Sequence, residues 1–260
     1  MSSPQPRETW NLDTSHIGRR VLFFDQLDST NTTAAELASA DDDGLVVIAD
    51  FQTAGRGQYG RVWQSRPGNS LLMSVALRPP LELRRPVILT AFAAVAIGEA
   101  ILALTGVQAK IKWPNDLLIR GKKVCGILIE NTTSLVIGIG LNLNQTAEEF
   151  EEAGLPDATS LGMVSGKALD SAAVVRVVVQ KLDLEYGRLL AGERVAVEAD
   201  WKWRIGLLGR QVTAELTDGT VISGRLHEMS FDGLELDTGD GWRLLVPETV
   251  RQLKPIADSV

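Results

Sequence analysis

The chain predicts an α/β (α+β) fold, with a mixed-sheet domain over residues 19–207, a small SH3-like β-barrel over residues 208–260, and a flexible or extended leader, residues 1–18. Three observations lead there. Short apolar runs bounded by turn residues alternate with long helical patterns before about Leu208. Beyond it the texture changes to short strands at close spacing. The length, 260 residues, suits one large domain plus one small one.

The elements follow in order. Val21–Asp25 reads as a strand, and Asp28-Ser29-Thr30-Asn31 is rich in helix N-cap residues ahead of TTAAELASA. Asp41-Asp42-Asp43-Gly44 breaks that helix, and Leu45–Asp50 is a buried-strand pattern. A glycine-rich loop precedes the strand Ser70–Leu77. Pro86 opens and Gly106 closes an apolar core helix, each at the helix end that suits it. Lys110–Trp113, Asp116–Ile119, Val124–Glu130 and Leu135–Leu143 form strands joined by short turns, the last through Asn131-Thr132-Thr133-Ser134, hence an antiparallel meander. A helix after Asp170 places Val175, Val178, Val179, Leu182, Tyr186 and Leu189 on one face. In the C-terminal part Arg210–Leu216, Thr220–Met229, Leu234–Asp237 and Trp242–Val246 are strands, and Asp218-Gly219 is a hairpin signal.

Composition narrows the function classes. With 45% apolar residues the chain can build a substantial core, and a net charge of −7 argues against a nucleic-acid polymer as partner. Yet three arginines and no acid lie between Gln52 and Arg66, and five cations face one acid between Lys110 and Lys123. Two local basic segments in an acidic chain point to a confined anionic ligand such as a nucleotide. One cysteine, Cys125, excludes an intramolecular disulfide and suits a reducing, cytoplasmic setting. His16 and His227 stand far apart without cysteine company, against a zinc site. The polar N-terminus lacks a secretory h-region, and Pro86–Leu104, interrupted by Thr90, Gly98 and Glu99, reads as a core helix and not a membrane span.

Four segments carry candidate chemistry. In Gly55-Arg56-Gly57-Gln58-Tyr59-Gly60-Arg61-Val62-Trp63, glycines let backbone amides approach an anion and arginines add charge-assisted bonds. Trp63 can wall off an apolar ligand or stack on a base. The spacing is not that of a P-loop. Lys112-Trp113-Pro114-Asn115-Asp116 sets a cation, an amide and a carboxylate at a sharp turn. Gly121-Lys122-Lys123-Val124-Cys125-Gly126-Ile127-Leu128-Ile129-Glu130 begins a strand with lysines and carries a glycine where something approaches the backbone closely. Gly138-Ile139-Gly140-Leu141-Asn142-Leu143-Asn144 strips side chains from one strand face. Singly, each has a plainer reading: a solvated loop, a dressed hairpin, a blunted strand start, tight packing.

Their joint order is specific. From about Val21 to Asn144, GRGxxGRxW, KWPND, GKKVCGILIE and GIGLNLN, with Asp28-Ser29-Thr30-Asn31 and Gln52-Thr53-Ala54 upstream, resemble the catalytic domain of biotin–protein ligases. The resemblance implies the biotin/lipoate ligase type of mixed sheet with an SH3-like barrel behind it. It implies that Ser29, Thr30, Asn31 and Gln52 line a biotin site, that Gly55, Arg56, Gly57 and Gln58 belong to a loop ordering over biotin and its adenylate, and that Trp63 packs beside the ligand. Gly126, Gly138 and Gly140 would make room for the ligand. Lys112, Trp113, Asn115, Asp116 and Asn142, with Arg56 and Lys123, would surround the nucleotide. Lys123, Arg56 and Asp116 would be the catalytic set, Lys123 meeting the biotin carboxylate and the α-phosphate and Asp116 serving as base, metal ligand or orienter. Members of the family often carry basic residues directly after GRG, where this chain has Gln58 and Tyr59.

The implied substrates are ATP and biotin with Mg2+, and the implied partner is a biotin carboxyl carrier protein or domain, the enzyme being a monomer or homodimer. Joining two anions asks for charge neutralisation and alignment, so arginine, lysine and backbone amides suit the step without a nucleophilic serine or cysteine. Three rival readings stand beside it: a lipoate–protein ligase or octanoyltransferase, a bifunctional ligase and DNA-binding repressor, and a non-enzymatic adaptor using the C-terminal barrel, which leaves the ordered basic and glycine-rich segments unexplained. About twenty residues before the first strand are few for a helix-turn-helix module, so no DNA partner is expected.

Overall fold

The computed structural model describes residues 4–39, 42–131 and 134–256. Its elements run β1 (Glu8–Trp10), β2 (Val21–Leu27), α1 (Thr30–Leu37), β3 (Leu45–Gln52), β4 (Ser70–Leu77), α2 (Pro86–Thr105), β5 (Lys110–Lys112), β6 (Asp116–Ile119), β7 (Lys122–Asn131) and β8 (Leu135–Asn142). They continue through α3 (Ala147–Glu152), α4 (Leu161–Ser165), α5 (Ser171–Leu190), α6 (Arg194–Ile205), β9 (Gln211–Leu216), β10 (Val221–Met229), β11 (Leu234–Asp237), β12 (Trp242–Leu245) and β13 (Val250–Pro255). The expected α/β class holds.

Strands β1 to β8 form one mixed sheet in the order β1-β2-β3-β4-β8-β7-β6-β5. Only β2 and β3 run parallel, because α1 carries the chain back between them; the antiparallel meander β5–β8 is as the short turns require. Thr132 and Thr133, in the expected link between β7 and β8, lie outside the described residues.

Alternation along the strands separates two buried faces. Val21, Phe23, Val46 and Ile48 face the large core with α2, while Leu22, Phe24, Val47 and Ala49 pack with Ala34 of α1. Helix α2 is apolar and buried nearly all round, which is why it shows no polar stripe. By length and composition it could cross a membrane, yet 78% of its most apolar stretch is buried inside this fold. It ends at Gly106 in the left-handed region (φ 72°), whose amide donates to Leu102 O at 2.8 Å. Helix α5 begins at Asp170, which accepts from the Ala172 amide at 3.2 Å, and buries the Val175–Leu189 face expected of it.

The N-terminal segment corrects the expectation of a flexible leader. Glu8–Trp10 pairs antiparallel with Val21–Phe23 as the sheet edge. Ile17 is fully buried, and the Asp183 carboxylate of α5 accepts from the amides of Ser15, His16 and Ile17 at 2.6–2.9 Å. Charge-assisted bonds from three successive amides tie down a segment that has no periodicity of its own.

Strands β9 to β13 form a second, antiparallel sheet ordered β12-β11-β10-β9-β13, compatible with an SH3-like domain. Its last strand, β13, was not expected from the sequence. Leu226, Leu236, Val250 and Leu253 join the same apolar cluster as α2, so the core is continuous across both sheets. An aromatic run crosses the junction: Trp113 to Trp201 at 5.7 Å and Trp201 to Phe231 at 5.4 Å between ring centres. Trp113 Nε1 also donates to Val250 O at 2.7 Å.

Candidate active site

Register sets the floor of the site. Ser74 pairs with Gly138, which pairs with Leu128, and Gly126 pairs with Gly140. These residues and Glu130 therefore share the sheet face opposite α2. Helix α1 covers one end of that face, and the loop from Thr53 to Asn69 lies over the rest.

At the α1 end the polar residues form a network. Gln52 Oε1 accepts from the Thr30 amide at 2.7 Å and from Thr30 Oγ1 at 3.1 Å. Ser74 Oγ, fully buried, bonds to Thr30 Oγ1 at 2.7 Å and to Asn31 Oδ1. Asn31 Nδ2 donates to Glu130 Oε2 at 2.6 Å. Arg56 reaches the same carboxylate through Nε (3.1 Å) and Nη2 (2.8 Å). The Arg56 guanidinium, helped by Asn31 and opposed by partial burial, holds the Glu130 carboxyl below the usual carboxylate range.

A small cavity of about 60 Å3 opens here, lined by Ser29, Thr30, Asn31, Gln52, Arg56, Gly57, Gln58, Trp63, Lys123, Gly126, Gly138 and Gly140 among others. Every residue assigned to the biotin site lines it except Gly55, whose carbonyl accepts from the Trp63 amide at 3.0 Å and closes the loop neck.

All three glycines line this cavity, with side chains standing close over them. A β-carbon on Gly140 would overlap the Trp63 indole, one on Gly126 would stand 3.0 Å from Trp63 Cζ3, and one on Gly138 would overlap the Asn31 carboxamide. The space over them is thus occupied by Trp63 and Asn31. Trp63 Nε1 is buried without a hydrogen-bond partner among the described residues.

A second cavity, about 660 Å3, adjoins the first and lies between the two sheets. Of the residues assigned to the nucleotide, Lys112, Trp113, Asn115, Asp116, Lys123 and Asn142 line it and Arg56 does not. That volume falls in the range of small-molecule pockets, roughly 300–1,000 Å3. Gly57, Gln58, Trp63, Asn115 and Lys123 line both cavities. Lys123 Nζ stands 2.6 Å from Asp116 Oδ1 and 5.7 Å from the Trp63 ring centre. Asn115 Nδ2 donates to Ile127 O at 2.6 Å, and Asn142 Nδ2 to Thr159 O at 3.0 Å, so both amides are fixed from behind. Trp113, which lines this cavity, is 5% exposed and spends its single donor on Val250, which makes it a wall and an interdomain tie. Cys125 is fully buried, which pushes its thiol well above the ordinary range despite nearby Lys123, and so it is no nucleophile.

Some site residues were not singled out from the sequence. Glu130 and Ser74 were reachable by counting in twos from Gly126 and Ser70. Residues 154–158 carry no such signal: they reach the site because Lys123 N donates to Asp157 O at 2.7 Å and Thr159 N to Lys123 O at 2.8 Å. Arg251, Gln252, Leu253 and Lys254 also line the second cavity.

A family model described as Biotin/lipoate A/B protein ligase family matches residues 23–144. The bifunctional ligase/repressor BirA of Bacillus subtilis is 36% identical over 239 residues, covering 89% of this chain and 74% of its own length. The biotin–[acetyl-CoA-carboxylase] ligase of Mycobacterium tuberculosis is 33% identical over 234 residues, 85% of this chain and 84% of that protein. Among solved structures, a biotin protein ligase from Aquifex aeolicus in complex with biotin and ATP superposes with a TM-score of 0.75 at 27% identity, covering 91% of this chain and 99% of that one. A sheet face built from these motifs, with relatives alike over most of their length, makes this chain an enzyme of the biotin/lipoate A/B protein ligase family, in its biotin–protein ligase branch.

Proposed function

We propose that the enzyme activates biotin with ATP to biotinyl-5′-adenylate and pyrophosphate, then passes the biotinyl group to a specific lysine of a biotin carboxyl carrier protein or domain. One observation carries the reading: Lys123 stands where the small cavity over the glycine floor meets the nucleotide-sized cavity. The reaction needs a cation at that junction. A biotin carboxylate oxygen attacks the ATP α-phosphorus and pyrophosphate leaves, and both reactants are anions. Lys123, held by Asp116, lowers their repulsion, and the fixed amides of Asn115 and Asn142 line the nucleotide side. In the second step the carrier amine attacks the acyl carbon and AMP leaves.

A magnesium ion suits this donor set. Among the described residues no group of three or more His, Cys, Asp or Glu is placed to cage an ion. Asp116 is instead a carboxylate lining the second cavity beside Lys123, and magnesium is commonly held by one or two carboxylates with substrate phosphates. Bound there, it would neutralise phosphate charge.

The test is to incubate the protein with biotin, magnesium ATP and a carrier domain, with lipoate offered in parallel, and to follow the carrier's mass. A biotinyl increment on the carrier is expected. An increment from lipoate alone would replace this reading with that of a lipoate ligase.

A further inference from the structure

Arg251 belongs to the C-terminal sheet, yet its guanidinium lies 4.8 Å from the ring centre of Tyr59 in the glycine-rich loop. Two local features bring them together. Strand β13 pairs with β9 through Val250↔Leu216 and then Gln252↔Glu215, so Arg251 is the extra residue of a β-bulge. Bulges re-aim side chains out of the alternating pattern. Val250 just before it is buried, and its carbonyl is fixed by Trp113 Nε1 at 2.7 Å, which sets where the bulge points. On the other side, Tyr59 sits at φ 57°, ψ 38°, a left-handed conformation that non-glycine residues seldom adopt. Such a residue persists where its surroundings hold it. Both side chains line the second cavity, beside Gln58, which offers only neutral groups.

We infer that Arg251 is a positioning residue for the adenylation site: it clamps Tyr59 and so holds the loop of residues 55–63 across the junction of the two cavities. Loop and C-terminal sheet then close over the intermediate from opposite sides. The role in retaining biotinyl adenylate rests on the reading proposed above. The clamp itself does not.

Two measurements separate these. The first is cleavage of the ligand-free protein by trypsin after Arg61, followed by mass spectrometry, for the parent, R251A, Y59A, Y59F and the double variant R251A/Y59A. The second is escape of preformed biotinyl adenylate from the same proteins, with thermal melting to confirm folding. R251A and Y59A should each speed both processes about two- to fivefold, the change that a partly exposed cation–π contact carries. The double variant should be no faster than either single one, and Y59F should match the parent. Unchanged cleavage in R251A, or additive effects in the double variant, would overturn the clamp. If the parent forms no adenylate the proposed function fails, and the cleavage series still decides the clamp.

Discussion

Lys123 and Asp116 form an ion pair at 2.6 Å where the two cavities meet, across neighbouring strands in which Asp116 pairs with Gly126 and Lys123 with Leu118. The pair is partly exposed, so solvent screens it and its contribution to folding is small. Its value lies in presenting one ammonium at a fixed place.

K123A should therefore suppress biotin-dependent pyrophosphate release while leaving melting nearly unchanged. A hydrogen bond to a charged group is worth about 1.5–3 kcal/mol, which corresponds to roughly a ten- to hundredfold loss. Near-normal release from a folded variant would pass the role to Lys122.

The glycine floor predicts a contrast between two alanine substitutions. At Gly138 the new methyl meets the buried Asn31 carboxamide, part of a network with Ser74 and Glu130 that has nowhere to go. G138A should cost about 1–3 kcal/mol of stability. At Gly140 it meets Trp63, which sits on a loop and can shift, so G140A should melt near the parent but bind biotin more weakly. Calorimetric melting and biotin titration of both variants check this; equal melting temperatures would mean that Asn31 yields as readily as Trp63.

Substrate entry should move Trp63. A cavity of about 60 Å3 is far below the roughly 300 Å3 where ligand pockets begin, and the indole occupies the missing space. Biotin should perturb tryptophan emission in the parent and much less in W63F. An equal change in both would place the response on another of the six tryptophans.

Glu130 supplies a pH dependence. Its folded carboxyl is held below the unfolded value of about 4.3 by Arg56 and Asn31, so the contact's stabilisation is fully present above that pH. It is lost as pH falls through the lower folded value. The stability difference between the parent and E130Q should thus stay constant from pH 8 to about 5 and shrink below about 4. A difference that grew on acidification would contradict the assigned direction.

Trp113 ties the domains. W113F leaves the Val250 carbonyl without its donor in a buried place, a loss of about 1–3 kcal/mol, which for a chain of this size lowers the melting temperature by a few degrees. It should also loosen the bulge at Arg251. An unchanged melting curve would show that water replaces the indole donor.

The sequence by itself determined what is local. Turn chemistry and apolar periodicity marked β2 to β8, α2, α5 and four strands of the C-terminal sheet, because each depends on residues within a few positions of one another. The order of the glycine-rich loop, KWPND and the two glycine-bearing strands named the family for the same reason. Tertiary structure decided what depends on distant partners. Glu8–Trp10 became an edge strand only because β2 was there to pair with it and Asp183 to hold the following amides. Gly138 and Gly140 were legible as a bare strand face, but not that Asn31 and Trp63 fill it. Trp113 belonged to a readable motif, yet its partner Val250 lies in the strand that periodicity missed. Arg251 reaches Tyr59 because one extra residue turns a strand, and no local pattern encodes where such a side chain lands.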